Sequence, residues 1–179
     1  LLRDRASEGG FRRELVGSYR YLSFATHGLM RDDIEALAEP ALVLTPGPGD
    51  DPTNDGLLTA SEIADLNLQA RFVALSACNT ANFDQSQIAQ DLPALASAFA
   101  VAGTPAVLAT LWPVNSETGR RVVASTFEAL HAAGAAPADA LAAAQRAFLA
   151  DPPAPAYRHP RFWAPFVILG DGASPPADV

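Results

Sequence analysis

Cysteine is the scarcest informative residue in this chain, with a single copy, Cys78, among 179 residues. One thiol cannot form an internal disulfide, so nothing favours an oxidising compartment, and a reducing, cytoplasmic setting is the expectation. Cys78 must then be explained as packing or as chemistry. Positive charge is scarce too. Lys and Arg number 12 against 20 Asp and Glu, a formal net charge of −8, and phosphate binding needs clustered cations, so nucleic acid is not an expected partner. No segment reaches the roughly 18 uninterrupted apolar residues of a spanning helix, and the opening LLRDRASEGG carries charges where a signal core would need none. A membrane partner is therefore not expected. The three histidines have no partners at metal-ligand spacing, and neither Cys-x-x-Cys nor His-Glu-x-x-His occurs, so no metal is expected. A Gly-x-Gly-x-x-Gly after a strand and a phosphate loop are also missing. PGPGDDPTNDG contains glycine but is acidic, the wrong sign for phosphate, and reads as a flexible surface loop. No cofactor is expected.

What is present suits one globular domain: 49% hydrophobic and 18% charged residues, with 15 prolines that imply many loops and interrupted element ends. The chain starts without methionine and enters almost directly at a strand. The expectation is a piece of a larger protein, with residues 1–18 peripheral, a domain over 19–170 and a flexible tail over 171–179.

The pattern predicts a helical turn around FRRELV, a strand over 20–26 and a short strand over 41–44, stopped by the Pro, Gly and Asp run. Thr59 and Glu62 have the spacing of a capping box, opening a helix over 60–66. RFVALS, residues 71–76, is apolar throughout, as a central parallel strand covered on both faces should be. Asp91 can cap a helix with Pro93 in its first turn, ended by Gly103. A continuous apolar strand follows over 105–112, then a helix over 116–133 with Val123, Phe127 and Leu130 on one face and Gly134 after its end. Pro137 opens a further helix stopped by Pro152, and a last strand spans 165–170. Strands alternating with helices predict a parallel α/β sheet with helices on both faces.

In such sheets the ligand site lies beyond the carboxyl ends of the strands. Two strands deliver reactive residues there: YRYLSFATHGL ends in His27 and Gly28, and RFVALSAC ends in Cys78. A cysteine attacks carbonyls as the thiolate, and a histidine can hand the leaving amine its proton. The N–H groups of Gly28 and Cys78 could form an oxyanion hole. The separation of His27 from Cys78, 51 residues, is close to the roughly 50 of the caspase arrangement. Free cysteine is often inert packing, and a strand-end histidine is often structural. Their joint placement at the same end of two strands argues against both readings. His131, near a helix C-terminus, suits the helix dipole, and His159 lies in a loop where it could pack on Trp163. Trp112, in LWPVNSE at the same sheet edge, could wall a substrate pocket; Asn115 or Ser116 caps the following helix.

FATHGL, DGLLTASEI, VALSACNTA, AGTPAVLATLWPVNSE and HPRFWAPFVILG, in this order over about 19–170, resemble the CHAT domain, a bacterial caspase-like family related to caspases and separases and often attached to tetratricopeptide repeats. The resemblance implies a caspase-like three-layer sandwich with a mostly parallel central sheet. It implies a cysteine endopeptidase regulated by upstream regions, with His27 and Cys78 as the dyad, Gly28 as the glycine after the histidine, and a protein or peptide as substrate. It also implies a tetratricopeptide-repeat region in the same polypeptide. Ser76 falls near the pocket for the side chain preceding the cut bond, and WPVNSE matches the segment facing that pocket, giving Ser76, Trp112 and Ser116 as substrate-binding candidates. Asn115 and Ser116 stand where relatives commonly carry an aspartate. A missing carboxylate removes the charge that pairs with Lys or Arg, so a smaller or apolar side chain suits the pocket at least as well. The competing class is a noncatalytic interaction or scaffold module on the same fold.

Overall fold

The computed structural model describes residues 1, 3–14, 19–31, 33–35, 37–49, 51–76 and 85–175; the side chains of 85–90 and 133 fall outside that description. Its centre is β5 (Phe72–Leu75), whose four residues are all buried. This is the continuous apolar run the sequence displays, and the reason for it is visible in the neighbours. β1 (Tyr21–Phe24) pairs with β5 in parallel, Phe24 opposite Leu75. β6 (Ala106–Thr110) pairs with it in parallel on the other side, Val73 opposite Val107. β7 (Phe166–Gly170) closes the order β1-β5-β6-β7 and runs antiparallel to β6.

Strand residues alternate between faces, and the core divides accordingly. Phe24, Val73, Leu75, Val107 and Ala109 face a layer built by α3 (Gln85–Val101) and α2 (Ala60–Ala64), through Leu92, Leu95, Phe99 and Ile63. Phe72, Ala74, Ala106 and Leu108 face α4 (Ser116–Ala133) and α5 (Pro137–Ala150), through Val122, Leu130, Leu141 and Phe148. Helix, sheet, helix is the three-layer α/β sandwich.

The main sheet is mostly parallel, as the resemblance implies; β7 alone runs antiparallel, after the long helices α4 and α5 and a short helix over Pro160–Trp163. Two sequence expectations are corrected. The ALVL strand does not join the main sheet. As β3 (Ala41–Val43) it lies between β2 (Gly28–Leu29) and β4 (Leu57–Thr59) in a separate antiparallel sheet. Nor is the N-terminal segment peripheral. α1 (Glu8–Glu14) buries Phe11, whose ring meets Phe24 edge-on at 5.2 Å.

The capping box forms as its spacing predicts: Thr59 Oγ1 accepts from the Glu62 N–H at 3.3 Å, and Glu62 Oε2 accepts from the Thr59 N–H at 3.0 Å. Gly134 ends α4 with φ 55°, the left-handed geometry that favours glycine at that position.

The PGPGDDPTNDG loop is tied to α1. The Gly9 N–H donates to Asn54 Oδ1 at 3.0 Å, and the Gly56 N–H donates to Glu8 Oε1 at 2.8 Å. Glu8 is fully buried. Burial pushes its carboxyl above the usual glutamate range; Glu62 and Asp55 push the same way, while the Gly56 N–H and Arg12 oppose them. A carboxyl whose folded pKa is raised favours folding while it is protonated and loses that contribution as pH rises through the raised value. Glu8→Gln, which keeps an acceptor for Gly56, is therefore expected to gain stability relative to the native chain as pH goes from about 4 to about 7. Urea midpoints at several pH values measure this; a difference that stays flat would contradict it.

Candidate active site

Beyond the carboxyl ends of β1, β5 and β6 lies a cleft of about 530 Å³. Among the described residues its lining comes from four places: Ser23 on β1 with Ala25, Thr26 and His27 after it, Ser76 after β5, Thr110 with Val114 and Asn115 at and after β6, and one face of α4. Parallel strands end on the same side of a sheet, so their last residues gather there.

His27 is exposed on this lining. Its backbone carbonyl accepts from the Val43 N–H at 2.8 Å, so the main chain is fixed while the imidazole is left to the cleft. Hydrogen-bonded and non-hydrogen-bonded pairs alternate along an antiparallel ladder. With His27 bonded to Val43, Gly28, which pairs with Leu42, turns its N–H away from β3. That leaves a backbone donor beside the histidine. Gly28 is buried. The Ser76 N–H donates to the Phe24 carbonyl at 2.8 Å, extending the β1–β5 ladder by one bond and holding Ser76 at the cleft. Ser116, in the first turn of α4, is exposed on the opposite wall. Cys78 lies outside the described residues, as do its neighbours from 77 to 84.

The structure thus gathers His27, Ser76 and Ser116 around one cleft. Trp112 it places elsewhere: the tryptophan is absent from the lining, and its indole N–H donates to the Arg161 carbonyl at 2.9 Å. Its role is to fasten the loop after β6 to α6 (Pro160–Trp163). Asn115 does the capping, with Oδ1 accepting from the Thr118 N–H at 2.8 Å and Nδ2 donating to the Tyr157 hydroxyl at 2.9 Å. The wall of the cleft is therefore clamped twice by the segment before β7. His159 caps α6 through Nδ1, which accepts from the Arg161 N–H at 3.2 Å.

Asp91 is not a helix cap. The helix begins earlier, at Gln85, and runs through Pro93. Asp91 is buried within it; Oδ2 accepts from the Arg31 N–H at 2.7 Å, and the Arg31 guanidinium stands 3.8 Å from Oδ1. That bond ties the segment following His27 and Gly28 to the helix that follows the Cys78 stretch.

Sequence reasoning missed Thr110, Val114, Gly119, Arg120 and Ala124 as cleft residues. The signal was there for α4. Ser116, Gly119, Arg120, Val123 and Phe127 recur at helical spacing, but the stripe containing Val123 and Phe127 reads equally as core. It serves as both: Leu130 is buried in the core, while Val123 and Phe127 touch core and cleft. Among the described residues no cluster of His, Cys, Asp and Glu could hold a metal ion, and no helix is long and apolar enough to cross a membrane.

The family model of the CHAT domain matches residues 1–171. Among curated proteins, the chain is similar to tetratricopeptide repeat protein 28 of Mus musculus, 33% identical over 122 residues, and of Homo sapiens, 31% identical over 123 residues. These alignments take in 66% of this chain and 5% of each relative, so the chain spans about a twentieth of the length of the curated relatives it matches. With the family match running over nearly the whole chain and through every strand of the sandwich, the chain belongs to the CHAT domain family and has its caspase-like α/β fold.

Proposed function

We propose that the protein is a cysteine endopeptidase in which His27 and Cys78 act as a dyad on a peptide bound in the cleft. One observation carries the reading. On neighbouring parallel strands Phe24 stands opposite Leu75, and His27 follows Phe24 by the same three residues by which Cys78 follows Leu75. Adjacent strands run about 4.8 Å apart. Equal offsets from a register pair are what a sequence would need to bring an imidazole and a thiol to one bond.

In the mechanism, the Cys78 thiolate adds to the scissile carbonyl, and the oxyanion is met by backbone N–H donors, Gly28 supplying one. The tetrahedral adduct collapses as the His27 imidazolium gives its proton to the departing amine, leaving a thioester on Cys78. His27, now neutral, takes a proton from water as that water attacks the thioester. The carboxylic acid product leaves and the thiol is restored. The family match and the placement of His27 and Ser76 on an open cleft, with the buried Gly28 next in sequence to His27, support this reading. A scaffold module on the same fold is the alternative that the test must exclude.

The test is to incubate the chain and its Cys78→Ala variant with a diverse peptide library and read new termini by mass spectrometry. Cleavage by the native chain alone is the expected result. Identical termini from both proteins, or none from either, would sink the hydrolytic role of Cys78 in this chain.

A further inference from the structure

The charge distribution around the cleft bears on which side chain it takes, a question that rests on the peptidase reading. The lining has an apolar base of Ala25, Val114, Val123, Ala124 and Phe127. Phe127 is fixed by edge-on contacts to Phe72 at 5.5 Å and Tyr21 at 6.0 Å. Its ring is thus a rigid surface rather than a mobile flap. No carboxylate occurs among the described lining residues; the charged groups there are Arg120 and, when protonated, His27. The one acidic residue of the adjoining turn, Glu117, is turned to other partners. It accepts from Arg120 at 2.9 and 3.0 Å, and Arg121 Nε stands 3.1 Å from it. Those contacts hold the Glu117 carboxyl below the usual glutamate range, the Arg120 hydrogen bond contributing most. Glu117 is therefore ionised and engaged throughout the neutral range.

We infer that the cleft selects a peptide bearing an uncharged apolar side chain at this position and rejects lysine and arginine. A cationic side chain would enter beside Arg120 and the positive end of α4, with the Glu117 carboxylate already taken by Arg120 and Arg121 and no carboxylate among the described lining residues, while giving up its water. An acidic side chain would have to compete with Glu117, which already takes up the Arg120 fork. An apolar side chain meets neither cost and covers Phe127, Val114 and Val123. Arg120 and Glu117 act together: paired, they offer an incoming side chain neither a free carboxylate nor a free guanidinium.

The experiment uses peptides identical except at one position, carrying leucine, arginine or aspartate. Binding is measured by calorimetry on the Cys78→Ala chain, which reads recognition without hydrolysis, and cleavage is measured in parallel on the native chain. The leucine peptide is expected to bind at least about tenfold more tightly than the arginine peptide, a difference of about 1.4 kcal/mol. In Glu117→Gln, which releases Arg120, the advantage of leucine over aspartate should shrink several-fold. Ser116→Asp, at an exposed first-turn position where an acid suits the helix, should move the preference toward arginine. The leucine order in binding without any cleavage would uphold the side-chain assignment and sink the peptidase reading. Preferred binding or cleavage of the arginine or aspartate peptide by the unmodified cleft would overturn the assignment and leave the peptidase reading standing. Absence of binding by all three would also overturn the assignment.

Discussion

His27→Ala is expected to lower kcat/KM for a cleaved peptide by about 10²- to 10⁴-fold while leaving the thermal midpoint close to that of the native chain. The size is that of a positioned general acid and base, and it corresponds to about 3–5 kcal/mol of transition-state stabilisation at about 1.36 kcal/mol per tenfold. The second half follows from the structure. The imidazole is exposed, and what His27 contributes to the ladder is its backbone carbonyl, which alanine keeps. A structural histidine would show the opposite pair of effects. Adding Cys78→Ala to His27→Ala should cost little beyond Cys78→Ala alone, because two residues serving one step are not additive. Steady-state rates on single and double variants, with melting curves on the same preparations, decide the matter. A rate unchanged by His27→Ala would remove the histidine from the chemistry.

Much of this site was legible because it depends on few physical rules. A fully apolar run such as RFVALS has only one comfortable place in an α/β domain, the middle of a parallel sheet, and β5 occupies it. Once that is granted, residues just past its end belong at the ligand edge, and Ser76 is there. The same logic places His27 after β1. The capping box and Gly134 are local features, satisfied within a few residues, and so survive folding unaltered.

What escaped was nonlocal. Asp91 followed by Leu92 and Pro93 has the local chemistry of a helix start, yet the carboxylate is satisfied by the backbone N–H of Arg31, sixty positions away in sequence. Gly28–Leu29 is too short for its pairing to register as a pattern; β3 supplies the partner. The antiparallel direction of β7 is set by what lies between it and β6, the long helices α4 and α5 and the short α6, and no local pattern in its own residues marks it. The burial of α1 was not. Among the charges of EGGFRRE only Phe11 signals a core contact, and the fully buried Glu8 contradicts the rule that glutamate stays outside. Trp112 shows the remaining difficulty: an aromatic at a strand end can wall a pocket or bolt a loop, and only the Arg161 carbonyl at hydrogen-bond distance from its indole distinguishes them.

The largest stability effect is expected at Phe72, and it should reach the cleft. Phe72 is fully buried in the central strand, and its ring meets Phe127 edge-on at 5.5 Å. Phe72→Ala removes a buried ring from a position where strands on both sides prevent collapse, so a loss of about 3–5 kcal/mol is expected. For a domain of this size that is a fall of about 6–20 °C in thermal midpoint. It also takes away the surface against which Phe127 rests, so the peptide side chain should lose its rigid base. Leu141→Ala provides the comparison. Leu141 is buried in the same core cluster but is absent from the cleft lining, and its truncation should cost about 2–5 kcal/mol. Measured well below both midpoints, Phe72→Ala should weaken discrimination between leucine and arginine peptides, and Leu141→Ala should leave it intact. Equal discrimination in the two variants would mean that the cleft does not draw its shape from the aromatic contact behind it.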